Sequence, residues 1–233
     1  MLEIPGYIHL VFILTTLLTY VLFIVANSVS PDKVLRRRSN MIALVLLMWL
    51  MFQSTLSLNK WYMDRNSMPP NMAFPLITSI VIISCLFLLR PGKRWIENTS
   101  IHMLTWIHIV RIPVELCLFW LAGSKQLPWS MTFHGMNYDI IFGITAPIMA
   151  LLYFRYHKIS AKGMIIWNIL GLISVLLVVI RGIGAVPSPI QAWDFEQPNY
   201  AVLHFPFIWL PSFIVPIVVL AHLVAIRRFR KMQ

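Results

Sequence analysis

Seven apolar runs constrain this chain more than any other feature. They are Ile8–Ala26, Met41–Leu58, Ala73–Leu89, Ile101–Ala122, Asp139–Phe154, Met164–Ala185 and Leu203–Ile226. In lipid, backbone N–H and C=O groups find no water to bond, so each run must be a helix. A spanning helix needs about 20 residues, and the fifth run reaches that only with flanking residues such as Tyr138. The expectation is an all-α, polytopic membrane bundle of seven transmembrane helices. Of 233 residues, 59% are hydrophobic and 12% charged, so little chain is left over for a soluble domain. Residues 1–233 read as a single seven-helix transmembrane domain.

Charge in the loops sets the expected orientation. The formal net charge is +11. In a soluble protein that excess would suggest nucleic acid, but here the bases sit in short loops, so no nucleic-acid partner is expected. The loops after runs one, three and five hold Lys33, Arg36, Arg37, Arg38, Arg90, Lys93, Arg94, Arg155, Lys158 and Lys162. The C-terminal tail adds Arg227, Arg228, Arg230 and Lys231. The opposite loops hold only Lys60, Arg65 and Lys125, together with most of the acids. Cytoplasmic loops carry the excess of Lys and Arg, which places the N-terminus outside and the C-terminus in the cytoplasm of a cell (inner or plasma) membrane. The first run has no basic stretch before it and reads as a start-transfer anchor rather than a cleaved signal peptide. Trp49, Trp61, Trp95, Trp106, Trp129 and Trp193 fall at or near expected span ends, as in an interfacial aromatic belt.

The fourth run carries two charges near the bilayer midplane. Arg111 lies roughly 15 Å of helical rise into it, and Glu115 follows one turn later. Charge at that depth costs about 2.5–3.5 kcal/mol per residue on insertion scales, so such side chains face a protein interior or a wet cavity. His108, Arg111 and Glu115 fall within about 60° of one another around the helix. Pro113, between the charges, removes a donor and frees the Ile109 carbonyl. Two readings stand: a self-neutralising Arg111–Glu115 pair that tightens packing, or a ligand, proton or ion site. Arg181, near the outer end of run six, either snorkels to the headgroups or pairs with Asp139, whose depth matches. Asp139 also reads as an ordinary helix-start acid. The outer loops Gly123–Tyr138 and Val186–Val202 would cap the pocket, with His134 and His204 in the same outer half. The triplet Asn98-Thr99-Ser100 reads as a helix cap before run four. Pro206, Pro211 and Pro216 predict a kinked seventh helix.

No cofactor is expected. Every lysine lies in a loop or the tail, which rules out a retinal Schiff base within a span. The seven histidines show no metal-ligand spacing, and Cys85 and Cys117 lie in separate runs without a CxxC pattern. No nucleophile elbow, phosphate-binding loop or dinucleotide fingerprint occurs.

The segments RIPVEL (Arg111–Leu116) and MTFHGMNYDIIFGITAP (Met131–Pro147) resemble bacterial seven-span integral membrane proteins that are uncharacterised. That resemblance implies the helix count and no activity.

The residues leave three functions open. The first is an outward-facing polar pocket for a small anionic or zwitterionic ligand, in a sensor or transporter, built from Arg111, Glu115, Asp139, Arg181, His134 and His204. The second is a structural or assembly subunit with membrane-protein partners, and the third an intramembrane enzyme. The lipid bilayer is the one partner common to all three.

Overall fold

The computed structural model describes residues 4–64 and 66–233. Arg65, which enters the charge argument above, lies outside the described residues. Among the described residues there are helices and no strands. The α-helices are α1 (Gly6–Ser28), α2 (Lys33–Leu58), α3 (Ala73–Leu88), α4 (Arg90–Asn98), α5 (Ile101–Ile107), α6 (Arg111–Gly123), α7 (Asp139–Ala150), α8 (Ala161–Ala185) and α9 (Val215–Arg230).

Five helical stretches are long and apolar enough to cross a membrane: α1, α2, the continuous α5–α6 unit, α8 and Leu210–Arg230. A sixth is counted if α3 and α4, bent by 86°, form one broken span. The helices of the third and fifth apolar runs are each too short to cross a membrane as one straight helix. Proline and charge explain both. In run three, Pro91 follows the first residue of α4, and the basic turn Arg90–Arg94 turns across the bundle end instead of continuing the helix. In run five, α7 covers twelve residues and passes into a five-residue π-helix, Leu151–Arg155. Pro147 within α7 withholds a donor from the Gly143 carbonyl.

The seventh run begins later than its hydropathy suggests. Ala201–Leu203 is a short 3-10 turn, and Leu210–Ile214 is a π-helix leading into α9. Pro206 therefore lies in the turn before the helix. Pro211 and Pro216 withhold donors from the carbonyls of Phe207 and Ser212, and the helix widens there. The freed Ser212 carbonyl accepts from Trp49 Nε1 at 2.9 Å. Trp49 thus ties α2 to the last helix rather than marking a span end.

Burial orders the bundle. Leu210–Arg230 and the α5–α6 unit are 67% and 61% buried, against 17% for α2. The two former stretches make the centre, with α1, α7 and α8 packed around them, and α2 and α3 lie at the edge. Ser100 caps α5 as expected, accepting from Met103 N at 3.3 Å. At the same end, Arg228 Nη1 donates to the carbonyls of Ile96 and Thr99 at 3.2 and 2.9 Å, satisfying the end of α4. Cys85 is exposed and Cys117 buried, and both are free thiols.

Candidate functional site

The central span is not a regular helix where its charges lie. Between α5 and α6 it tightens into a 3-10 turn over His108–Val110. Pro113 supplies the cause, since it cannot donate to the Ile109 carbonyl. Arg111 opens α6 immediately after that turn and is 2% exposed.

The Arg111 guanidinium binds three other helices. Its Nε donates to Asp139 Oδ2 at 2.6 Å, and its Nη2 donates to Asp139 Oδ1, making a two-pronged ion pair with the start of α7. Nη2 also donates to the Gly171 carbonyl of α8 at 3.1 Å. Nη1 faces His222 Nε2 of α9 at 3.0 Å. Arginine only donates, so this imidazole nitrogen accepts. His222 Nδ1 is then the protonated nitrogen and donates to Asn168 Oδ1 at 2.9 Å. Asn168 is oriented for this because its amide nitrogen donates to the Met164 carbonyl at 2.8 Å. His222 is therefore neutral and of one defined tautomer.

Asp139 joins this arrangement because α7 starts below the bundle surface. The preceding loop folds over it, and Asn137 is buried with it. Asn137 Oδ1 accepts from the Asp139 backbone N–H at 2.9 Å, and Ser174 Oγ of α8 donates to Asp139 Oδ1 at 2.8 Å. Asn137 Nδ2 donates to Glu115 Oε1 at 2.6 Å and to the Met131 carbonyl at 2.9 Å. One buried chain of contacts thus runs from Glu115 through Asn137, Asp139, Arg111 and His222 to Asn168.

One member of this chain and one neighbour stacked on it are incompletely satisfied. Glu115 Oε2 is buried without a hydrogen-bond partner, and so are both ring nitrogens of His108. The His108 ring stacks on His222 at 3.9 Å between centroids, with the Trp167 edge at 5.4 Å. Arg111 and Asp139 neutralise each other, so Glu115 has no cation of its own. Among the described residues, no three His, Cys, Asp or Glu side chains come together as a metal site requires.

The pairings differ from those read in the sequence. Arg111 and Glu115 do not form an ion pair. An Arg one turn before a Glu is the poorer order for such a pair, and Asp139 offers both oxygens from a neighbouring helix. Asp139 does not pair with Arg181. The close crossing of α6 and α7 decides this. A Cβ on Gly143 would lie 3.0 Å from Ile112 N and 3.2 Å from Arg111 Cβ, so the turn before it, with Asp139, is held against Arg111. His134 is exposed, 5.1 Å from the Phe119 ring. His204 lies in the turn before the last helix, with its Nε2 buried and unpartnered. Neither belongs to the central chain of contacts. The sequence reading did not place His222, Asn137, Asn168 or Ser174 in the site. Asn137 sits two residues before a helix-start Asp, a capping pattern that is legible, but nothing in the sequence aims His222 at Arg111.

Arg181 belongs to a second polar locus. It is half-buried, and its Nη1 donates to the Ser130 carbonyl at 3.3 Å. Ser130 Oγ donates to Asp194 at 2.8 Å, and Trp193 Nε1 donates to the Arg181 carbonyl at 3.0 Å. These four residues line a cavity of about 390 Å³ between α8 and the loops 124–138 and 186–200.

Residues 68–230 match the family described as a domain of unknown function, DUF8737. The chain belongs to that family. The DUF8737 match spans α3 to α9 and includes every residue of both polar loci, whereas α1 and α2 precede it. No curated protein and no solved structure matches the chain significantly.

Proposed function

We propose that this DUF8737 member is a seven-span protein of the cell membrane that binds a small zwitterionic ligand from outside, as a sensor or transporter. The seventh crossing would be α7 with its π-helical extension. The loop-charge asymmetry supports an outer N-terminus and a cytoplasmic C-terminus. On that orientation the cavity at Arg181 opens outward. The observation that carries the reading is its lining: a guanidinium, a carboxylate and an exposed indole at one site, Arg181, Asp194 and Trp193. Arg181 suits a ligand carboxylate, and Asp194 with the Trp193 face suits an ammonium group. The sealed Arg111 chain beneath would hold α6, α7, α8 and α9 in register under the pocket.

Two experiments test this. A C-terminal reporter fusion should be active only as a cytoplasmic reporter, and an active periplasmic phosphatase fusion would overturn the orientation. Purified protein should be stabilised thermally by at least one of a panel of free amino acids and quaternary-ammonium carboxylates. Arg181→Gln should weaken that binding about tenfold or more, the scale of one charge-assisted pair. A panel without any shift would refute the pocket. One observation favours a second reading, an assembly subunit: Arg111 and Asp139 neutralise each other inside the bundle, and a purely structural charge pair needs no ligand. Co-purification of a stoichiometric membrane partner, with no ligand response, would support it.

A further inference from the structure

The edge of the bundle is loosely packed. α3 buries only Pro75 of its sixteen residues, and α2 buries five of twenty-six. Between these helices and α9 runs a groove of about 300 Å³, walled in part by Leu46, Trp49, Ile83, Leu86, Phe213 and Ile217. Its floor is the widened turn of the last helix, where Trp49 bonds the Ser212 carbonyl freed by Pro216. In a bilayer no hydrophobic force closes such a gap, because lipid tails are as apolar as the groove. An unfilled groove would forfeit dispersion contacts along its whole wall.

One end of the groove is strongly basic. The Trp95 ring, fixed by Nε1 donating to Asn27 Oδ1 at 2.6 Å, also walls a second cavity of about 330 Å³. Arg38 from the start of α2 and Arg90 and Arg94 from α4 line this cavity together with Asp32. Asp32 is engaged by Arg94, through Nε at 2.6 Å and Nη2 at 3.1 Å. That guanidinium holds the Asp32 carboxyl below its ordinary range. Arg38 and Arg90 are exposed and, among the described residues, make no hydrogen bond or ion pair. Two uncommitted guanidiniums therefore stand where an apolar slot meets the end of the bundle.

We infer that groove and basic cavity together hold one molecule of an anionic phospholipid, an acyl chain along α2, α3 and α9 and its phosphate between Arg38 and Arg90. Guanidinium forks match phosphate oxygens, and the slot supplies the chain contacts that a soluble anion lacks. Charge complementarity and the continuity of slot and cavity across Trp95 select this occupant. The inference rests on neither the orientation nor the ligand pocket proposed above.

Native mass spectrometry of the detergent-purified full chain tests it, with phosphatidylglycerol and phosphatidylcholine of equal chain length. One phosphatidylglycerol should be retained at least tenfold more strongly than phosphatidylcholine. R38Q/R90Q should abolish that preference. R155Q/K158Q, an exposed basic pair at and just after the end of the Leu151–Arg155 π-helix, should leave it unchanged. I83W should fill the slot and cut phosphatidylglycerol retention severalfold with both arginines intact, and the melting temperature of each variant reports its folding. Equal retention of the two lipids would overturn the inference, as would retention unchanged in R38Q/R90Q. Displacement by millimolar inorganic phosphate alone would also overturn it, by showing a site for the anion without the chain. A lipid-free dimer mass lost in I83W would assign the groove to a second copy instead.

Discussion

Asp139→Asn should destabilise the purified protein by about 3–5 kcal/mol, the cost of leaving one partner of a buried ion pair behind. The substitution keeps size and shape but removes the charge that faces Arg111 Nε at 2.6 Å. The guanidinium is 2% exposed and cannot recover water. Glu115 will not replace the lost partner, because its Oε1 is held by Asn137 at 2.6 Å. Arg111→Leu should cost a similar amount, by stranding Asp139 with only Ser174 and the Asn137 cap. The double variant R111L/D139N should cost less than the two single changes added together, because neither charge is then left alone. Unfolding in graded denaturing detergent, with all three variants in one lipid background, measures the cycle. Strict additivity would mean that the pair is not coupled and that Arg111 is held by Gly171 and His222 alone.

That pair also shows what the sequence could convey. The apolar runs and their punctuation forecast helices, because lipid leaves the backbone no alternative. Burial of Arg111 and Glu115 was legible for the same reason: charge at mid-span must be enclosed. Which partner each charge takes was not legible. Depth counting put Asp139 level with Arg181, but helix ends need not sit at the membrane surface. The loop before α7 dips inward with Asn137, and Gly143 lets α7 press against α6, so Asp139 meets Arg111 instead. His222 was invisible for a different reason. Its place opposite Arg111 depends on the rotation of the last helix about its axis. That rotation is altered by the π-helical stretch Leu210–Ile214, which regular 3.6-residue counting cannot follow. Proline revealed that this helix is irregular, but not the sense or size of the change.

The second large effect is expected at Gly171, which carries no charge. Gly171→Val should cost about 1–3 kcal/mol or more through overpacking. A Cβ there would lie 2.8 Å from His222 Nε2 and 3.1 Å from Phe142 Cδ1. A flexible side chain could swing away, but His222 is fixed on both sides. Its Nε2 meets Arg111, its Nδ1 meets Asn168, and its face stacks on His108 at 3.9 Å. Moving the ring therefore removes an acceptor from Arg111 and a donor from Asn168, both buried. Gly123→Ala is the matched control, since nothing lies within 4 Å of a Cβ at that exposed helix end. It should be neutral or slightly stabilising, because alanine is the better helix former. Combining Gly171→Val with His222→Ala makes the argument specific. The smaller side chain at 222 gives the valine room, so the double variant should lose less than the two single losses added together. If the losses simply add, Gly171 is required by the packing of α8 against Phe142 and not by the imidazole that completes the Arg111 site.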